Sequence, residues 1–413
     1  MLNIAYIISQ YGRSFIANET HGEIVRELQH RGVAVHVLSL TTRHEGGGVP
    51  GITHGEYGEI ITRLVPDNNI LARAINIVSR PITHYTHFLP IVWHIHRWLS
   101  NNHVNVLHVE GVYPLGAAVW LATRLYRVPY IVTTTGGDVF DLPHYDYGFG
   151  RFRLPRCLIR QTLRNAAWTR SNSPMMSDLV RYIGANPKRL TSIPVSISDS
   201  CYPSADKQIV TVRNDSREQL RTSYGWNEPI LITSIGRLFN LKAPEQLLYA
   251  VPALIKRLGP VRIIIAGPSR VSEHGDYQTM LETLAETLNI AKSVSFLGRI
   301  TLDEVRTVLA ASDVLVVPSV IEGLNRVTIE AAAVGTPTVI TATAGAASLV
   351  QAHKSGIVVP PGDPNILTDA IISLMENRSL WHMLQTNGLK FAATQTAAAV
   401  AAQLHTLYNQ VKE

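Results

Sequence analysis

Two doubly wound, parallel-sheet α/β domains are the fold this sequence predicts. Three observations carry that prediction. The chain has 413 residues, and single cores stop growing at roughly 250–300 residues. Short apolar runs alternate with helix-length stretches in both halves. A Pro-, Ser- and Asp-rich stretch, PVSISDSCYPSADKQ, breaks the alternation once and reads as a linker. The domains therefore fall at 1–200 and 201–385, and the remaining 386–413 read as a terminal helix that packs back toward the first domain.

In the first half the strands are NIAYII, VAVHVLSL, EIITRLV, NVLHV and YIVTTT, with helices over NETHGEIVRELQHRG and 114–126 between them. In the second half they are PILITSIG, VRIIIAG, SVSFLG, DVLVVPS, TPTVIT and GIVVPP, again separated by helices. Near-continuous apolar strands that alternate with helices form parallel sheets covered on both faces. Ligands of such sheets bind beyond the carboxyl ends of the strands, here expected in a cleft between the domains. The tail FAATQTAAAVAAQLHTLYNQVKE supplies the last helix.

Composition excludes several classes. A 46% hydrophobic and 16% charged chain is folded rather than disordered. Cys157 and Cys201 have no metal or redox spacing, and a reduced, cytoplasmic setting is the simpler expectation. MLNIAYIISQYG lacks a basic leader and a cleavage site, so it reads as a strand. Residues 1–200 hold 19 Lys+Arg against 13 Asp+Glu, while the rest is balanced, so the whole +6 lies in the first half, nearly all as arginine. Such a bias points to an anionic partner. No nucleic-acid motif accompanies it.

Nucleotide fingerprints such as GxGxxG and GxxxxGK[ST] are absent, and HEGGGVPG reads as a flexible loop. The chemistry-bearing stretches follow strands of the second half. In SIGRLFNLKAPEQL, Gly236 ends a strand, and Arg237 and Lys242 lie on the loop before a helix opened by Pro244 and Glu245. A guanidinium fork and an ammonium beside a helix amino terminus suit a diphosphate. Taken alone, on an arbitrary loop, they read more readily as solvated cations. Gly267 and Gly298 close two further strands, where glycine is ordinary turn chemistry. In SVIEGLNRVTIEAAAVGTP, Glu322 sits on the loop above the sheet and Asn325 caps a helix whose amino-terminal N–H groups, from Gly323 to Arg326, face the ligand. Glu330 follows about a turn and a half into that helix. Both carboxylates can accept paired hydroxyl hydrogen bonds from sugar or ribose; the alternative is an exposed Glu322 and a Glu330 that supports the helix start.

GRLxxxK, IAGPS, FLG, SDVLVVPSVIEG and the E-x7-E ending in IEAAAVGTP occur in order over about 230–365. Together they resemble the carboxyl-terminal domain of family 4 retaining glycosyltransferases. SFIANETHGEIVRELQHRG, IVTTTGGDV and SNSPMMSDLVRYIGANPKRLTSIP extend the resemblance over nearly the whole chain. It implies the GT-B fold, a nucleotide-sugar donor as co-substrate, no cofactor and no essential metal. By resemblance, Arg237 and Lys242 hold the donor diphosphate, and Glu322 with Gly323, Leu324, Asn325 and Arg326 positions the transferred sugar. Glu330 then binds the ribose, and Gly298, Arg299 and Ile300 hold the base, with Gly236 and Gly267 lining the donor site. Retention in this family is explained by attack on the face the diphosphate leaves, with no protein nucleophile.

Departures concern the acceptor side. Thr135 stands where the family often has His; Phe15, Glu19, His108 and Asp138 are the other acceptor-side candidates. VSISD replaces a common Gly-Val-Asp, Ser348 ends a stretch that is usually Gly-Gly-x-x-Glu, and Asn325 stands where Gly is common. Arg156, Arg160 and Arg164 share one helix face, and Trp93, Trp98, Phe88 and Tyr85 mix with Arg80 and Arg97. Both stretches suit an anionic membrane surface at the inner face of the cytoplasmic membrane, and equally an amphipathic helix packed on a sheet. The expected activity is metal-independent, retaining sugar transfer to a hydroxyl of a lipid-linked or polysaccharide acceptor in cell-envelope synthesis. An epimerase or phosphorylase of the same fold, or a binding protein without transfer, are the alternatives.

Overall fold

The computed structural model describes residues 2–11, 19–40, 50–65, 70–203, 208–272 and 275–412. The chain forms two compact units, Met1–Ser196 with Ala397–Glu413, and Ile197–Thr396. The stretch expected as a linker is partly structural: Ser196, Ile197, Ser198 and Cys201 are buried.

The first unit contains β1 (Leu2–Ile8), α1 (Glu19–His30), β2 (Val33–Leu40), β3 (Gly51–His54), β4 (Ile60–Leu64), α2 (Ile70–Thr83), α3 (Phe88–Asn101), β5 (Val106–Glu110), α4 (Ala117–Thr123), β6 (Tyr130–Thr134), α5 (Arg153–Asn165), β7 (Trp168–Ser171), α6 (Pro174–Ile183) and β8 (Leu190–Ser192). Its strands lie in the order β3-β4-β2-β1-β5-β6-β7-β8. All neighbours are parallel except the edge pair of β3 with β4. β3, an exposed GITH strand after the glycine-rich loop, has no apolar run and was not expected. Most of HEGGGVPG lies outside the described residues. β1 is buried on both faces apart from Asn3, which is why its residues read as an unbroken apolar run.

The second unit contains α7 (Ile209–Tyr224), β9 (Ile230–Ile235), α8 (Glu245–Leu258), β10 (Val261–Ala266), the short strands β11 (Val271–Ser272) and β12 (Gly275–Asp276), α9 (Tyr277–Thr287), β13 (Val294–Gly298), α10 (Leu302–Ala311), β14 (Val314–Val317), α11 (Arg326–Ala333), β15 (Thr338–Thr341), α12 (Ala347–His353), β16 (Gly356–Val359), α13 (Pro364–Glu376) and α14 (Arg378–Ala392). Six parallel strands run in the order β13-β10-β9-β14-β15-β16. In each unit the order reverses beside the first strand, between β1 and β5 and between β9 and β14. That reversal is where doubly wound sheets open a crevice for ligands.

The tail departs from the single helix expected over 386–413. It divides between α14, in the second unit, and α15 (Ala397–Lys412), in the first. Ala397, Val400, Ala401, Leu404, Leu407 and Tyr408 recur at helical spacing and enter the core formed by β1, β2 and α1.

Candidate functional site

β9 and β14 end side by side at the reversal of the second sheet. Beyond β9 come Gly236 and Arg237, and beyond β14 come Pro318 and Ser319. These residues line one small pocket with Lys242 and Asn325. Gly267, after β10, owes its identity to packing: a Cβ there would stand 1.9 Å from the Gly236 carbonyl oxygen. Its N–H donates to the Gly298 carbonyl at 2.7 Å, so three strand ends lie close together.

Lys242 Nζ donates to Glu322 Oε1. The other carboxylate oxygen accepts from Asn325 Nδ2 at 2.8 Å and from Ser319 Oγ at 3.2 Å. Burial raises the Glu322 pKa, but the Lys242 charge and these three hydrogen bonds outweigh it and hold the carboxyl below its ordinary value. Arg237 is exposed, and its guanidinium carbon lies 5.1 Å from the centroid of the Phe239 ring. One cation is thus spent on a carboxylate while the other faces outward.

Two non-glycine residues near the pocket adopt left-handed backbones, Ala243 at φ 47° and Asn325 at φ 76°. Asn325 caps α11, its Oδ1 accepting from Thr328 N at 3.1 Å and from Thr328 Oγ1 at 2.9 Å. A residue with this backbone explains why glycine is an alternative there. Gly323 and Leu324 are buried on the loop. The Leu324 carbonyl accepts from Ala346 N at 2.6 Å, and Glu322 N donates to the Thr343 carbonyl at 3.3 Å. The stretch ending in Ser348 therefore braces the loop through its backbone. Glu330 is buried, and its Oε1 accepts from Arg326 Nε at 2.8 Å, one turn earlier. Arg299 is exposed, and Ile300 packs partly against the core of Leu231, Ile264 and Val308. Glu322, Asn325, Ser319 and Lys242 are thus joined directly. Ser319 was not singled out in the sequence; only its place directly after the strand-ending proline marks it.

The acceptor-side candidates separate. Phe15 and the Glu19 side chain lie outside the described residues. Thr135 is exposed on the loop after β6. Asp138 is structural: its oxygens accept from the N–H groups of Thr135 at 3.0 Å, Gly136 at 2.6 Å and Val112 at 2.7 Å. Burial raises its pKa, and those backbone donors offset part of the shift. His108 is fully buried, which places its ring inside the sheet rather than on a ligand surface. Nδ1 lies 2.6 Å from the Tyr408 hydroxyl and Nε2 lies 2.7 Å from Thr133 Oγ1. Burial pushes its pKa down to about 3, with Arg170 adding to the effect and Glu110 opposing it.

Sequence reading missed the group around His108. Glu110 Oε1 accepts from the Tyr6 hydroxyl at 2.5 Å and from Arg170 at 3.3 Å, and His21 Nδ1 lies 2.7 Å from the Tyr6 hydroxyl. Arg170 has no exposed surface and also donates to the carbonyls of Ile193 and Pro194, each at 3.0 Å. Burial would raise the Glu110 pKa, yet His21, Arg170 and His108 bring it down to about 2. Arg170 sits in the short strand WTRS, whose composition gives no sign that the arginine is buried.

The surfaces offered for a membrane also change. Phe88 and Trp98 are core residues. Arg156 pairs with Asp141 at 2.7 Å, and Arg160 and Arg164 lie against Gly184. The exposed apolar face belongs instead to α2, where Ile70, Ile77 and Val78 are 84%, 75% and 73% exposed. Among the described residues, no helix is long and apolar enough to cross a membrane, and no group of three or more His, Cys, Asp or Glu could hold a metal ion.

Two parallel-sheet units, the second with a cationic and acidic cluster where its strand order reverses, make up the arrangement that the comparisons place. The family profile described as glycosyl transferases group 1 matches residues 216–391, and the glycosyl transferase 4-like domain profile matches 17–196. D-inositol 3-phosphate glycosyltransferase of Corynebacterium glutamicum is 30% identical over 327 residues, covering 76% of this chain and 71% of that protein. Sucrose-phosphate synthase from Thermosynechococcus elongatus superposes with a TM-score of 0.77 at 21% identity, covering 100% of this chain and 99% of that one. Anabaena HepE in complex with UDP and glucose superposes with a TM-score of 0.73 at 16% identity, covering 99% and 100%. The chain belongs to the group 1 glycosyltransferases, family-4-type enzymes of the GT-B fold.

Proposed function

We propose that the protein transfers a sugar, with retention of anomeric configuration and without an essential metal, from a nucleoside diphosphate sugar to an acceptor hydroxyl. The observation that carries this is the Lys242–Glu322 contact at the β9/β14 reversal, with exposed Arg237 beside it. Arg237 and Lys242 bind the diphosphate and neutralise it as the glycosidic bond breaks, supplying charge where it develops. The Glu322 carboxylate, kept ionised, accepts from hydroxyls of the transferred sugar, and Ser319 and Asn325 fix its orientation. Glu330 serves the ribose and Arg299 with Ile300 the base. The leaving phosphate oxygen takes the acceptor proton, so no enzymic nucleophile is needed.

For the acceptor, a lipid-linked or glycan hydroxyl at an anionic membrane surface agrees with the exposed apolar face of α2, where Arg73 and Arg80 are also exposed. A second reading, a phosphorylated cyclitol, is favoured by relatives named for D-inositol 3-phosphate. A panel of UDP-, GDP- and ADP-sugars, incubated alone, with D-inositol 3-phosphate, or with lipid-linked glycan, tests both. Slow hydrolysis of one donor to the same anomer, accelerated by one acceptor, is expected. An inverted product would refute retention, and donor binding without turnover in any mixture would leave only the binding-protein alternative.

A further inference from the structure

We propose that the first unit carries a separate site for a phosphorylated monosaccharide, at the amino ends of β6, β7 and β8. An open cavity of about 400 Å³ lies there, lined by Arg124, Arg127, Arg189, Asn165, Trp120 and Tyr126. Pro129, Ala167 and Arg189, which immediately precede the three strands, are among the residues that line it. This is the end of the sheet opposite the strand carboxyl ends, and it belongs to the unit without the Lys242–Glu322 cluster.

Charge and shape set the ligand class. Among the described residues none of the three arginines is ion-paired, and no acidic side chain lines the cavity. Three guanidinium groups around one hollow repel each other until an anion enters, and their planar forks match phosphate oxygens bidentately. The Arg124 guanidinium carbon stands 5.7 Å from the centroid of the Trp120 ring, so cation and aromatic face are presented together. The Tyr126 hydroxyl is held by His96 at 3.2 Å, which fixes a second ring. Flat aromatic surface beside cations suits a ring that carries the phosphate, and the volume lies within the range of small-molecule sites.

The test uses the full chain saturated with the nucleoside diphosphate it binds best, so that the donor site is filled. Glucose 6-phosphate is then titrated by calorimetry. Saturable binding is expected, at least about fivefold tighter than inorganic phosphate and at least about tenfold weaker in Arg124→Ala/Arg127→Ala, whose changes are at exposed positions. Nucleotide affinity of that variant should match the parent. Absence of saturable binding, or equal binding by parent and variant, overturns the site. Equal affinity for glucose 6-phosphate and inorganic phosphate overturns the monosaccharide part of the proposal.

Discussion

Lys242 and Glu322 set each other's charge. With the ammonium in place, the carboxyl pKa lies below its ordinary value; without it, burial is the dominant influence and acts in the opposite direction. A group whose pKa is depressed by folding stabilises the fold above its unfolded value, and that stabilisation is lost as pH falls through the folded value. In Lys242→Ala the loss should therefore begin at higher pH. Thermal melts from about pH 3.5 to 7, a window that brackets the ordinary carboxyl range, should show the variant's acid limb displaced upward. Coincident limbs would contradict the contact. At this scale the sequence was informative about residue type and poor about partners. Arg237, Lys242, Glu322 and Glu330 were singled out by the motifs they sit in; as charges on loops and a helix start they read on their own as solvated side chains. That Lys242 pairs with Glu322 depends on loop conformations that spacing does not determine, whereas Arg326 and Glu330 meet by ordinary i,i+4 helical spacing once α11 is placed.

Among elements, α15 depends most on distant sequence. Its apolar stripe was readable as a helix, but its boundary was not, because Ala-rich sequence runs on through the break after α14. Tyr408 brings α15 onto His108, which belongs to the same buried group as Glu110 and Arg170. Strand β7 was hidden because WTRS carries no apolar run, and its arginine finds its acidic partner Glu110 two strands away on β5. Removing one member of a buried ion pair strands the other, at a cost of about 3–5 kcal/mol. Arg170→Leu should thus lower stability by that order in chemical denaturation and raise the pH of acid unfolding, since Glu110 would lose a charge that holds it down to about 2. A variant as stable as the parent would show that the ion pair does not hold this region together.

Across the whole molecule, both units repeat one plan, with a strand-order reversal beside the first strand. Alternating apolar runs made that plan legible, whereas edge strand β3 and the exact unit boundaries left no periodic trace. The units differ in what stands at the reversal. In the first stands a buried ionic cluster; in the second, Arg237 and Lys242 line a pocket and Lys242 pairs with Glu322. The exposed face of α2 gives the first unit a surface of its own. Vesicles rich in anionic lipid should sediment the parent and release Ile77→Ser/Val78→Ser; equal sedimentation would discard membrane docking through α2. The donor site is tested most directly by calorimetry of UDP, GDP and ADP with the parent and Arg237→Ala, an exposed substitution that leaves the Lys242–Glu322 contact intact. Loss of a charge-assisted hydrogen bond is worth about 1.5–3 kcal/mol. At least about a tenfold loss in affinity for the nucleoside diphosphate that binds best is therefore predicted. Unchanged affinity for it would contradict a diphosphate at the β9/β14 reversal.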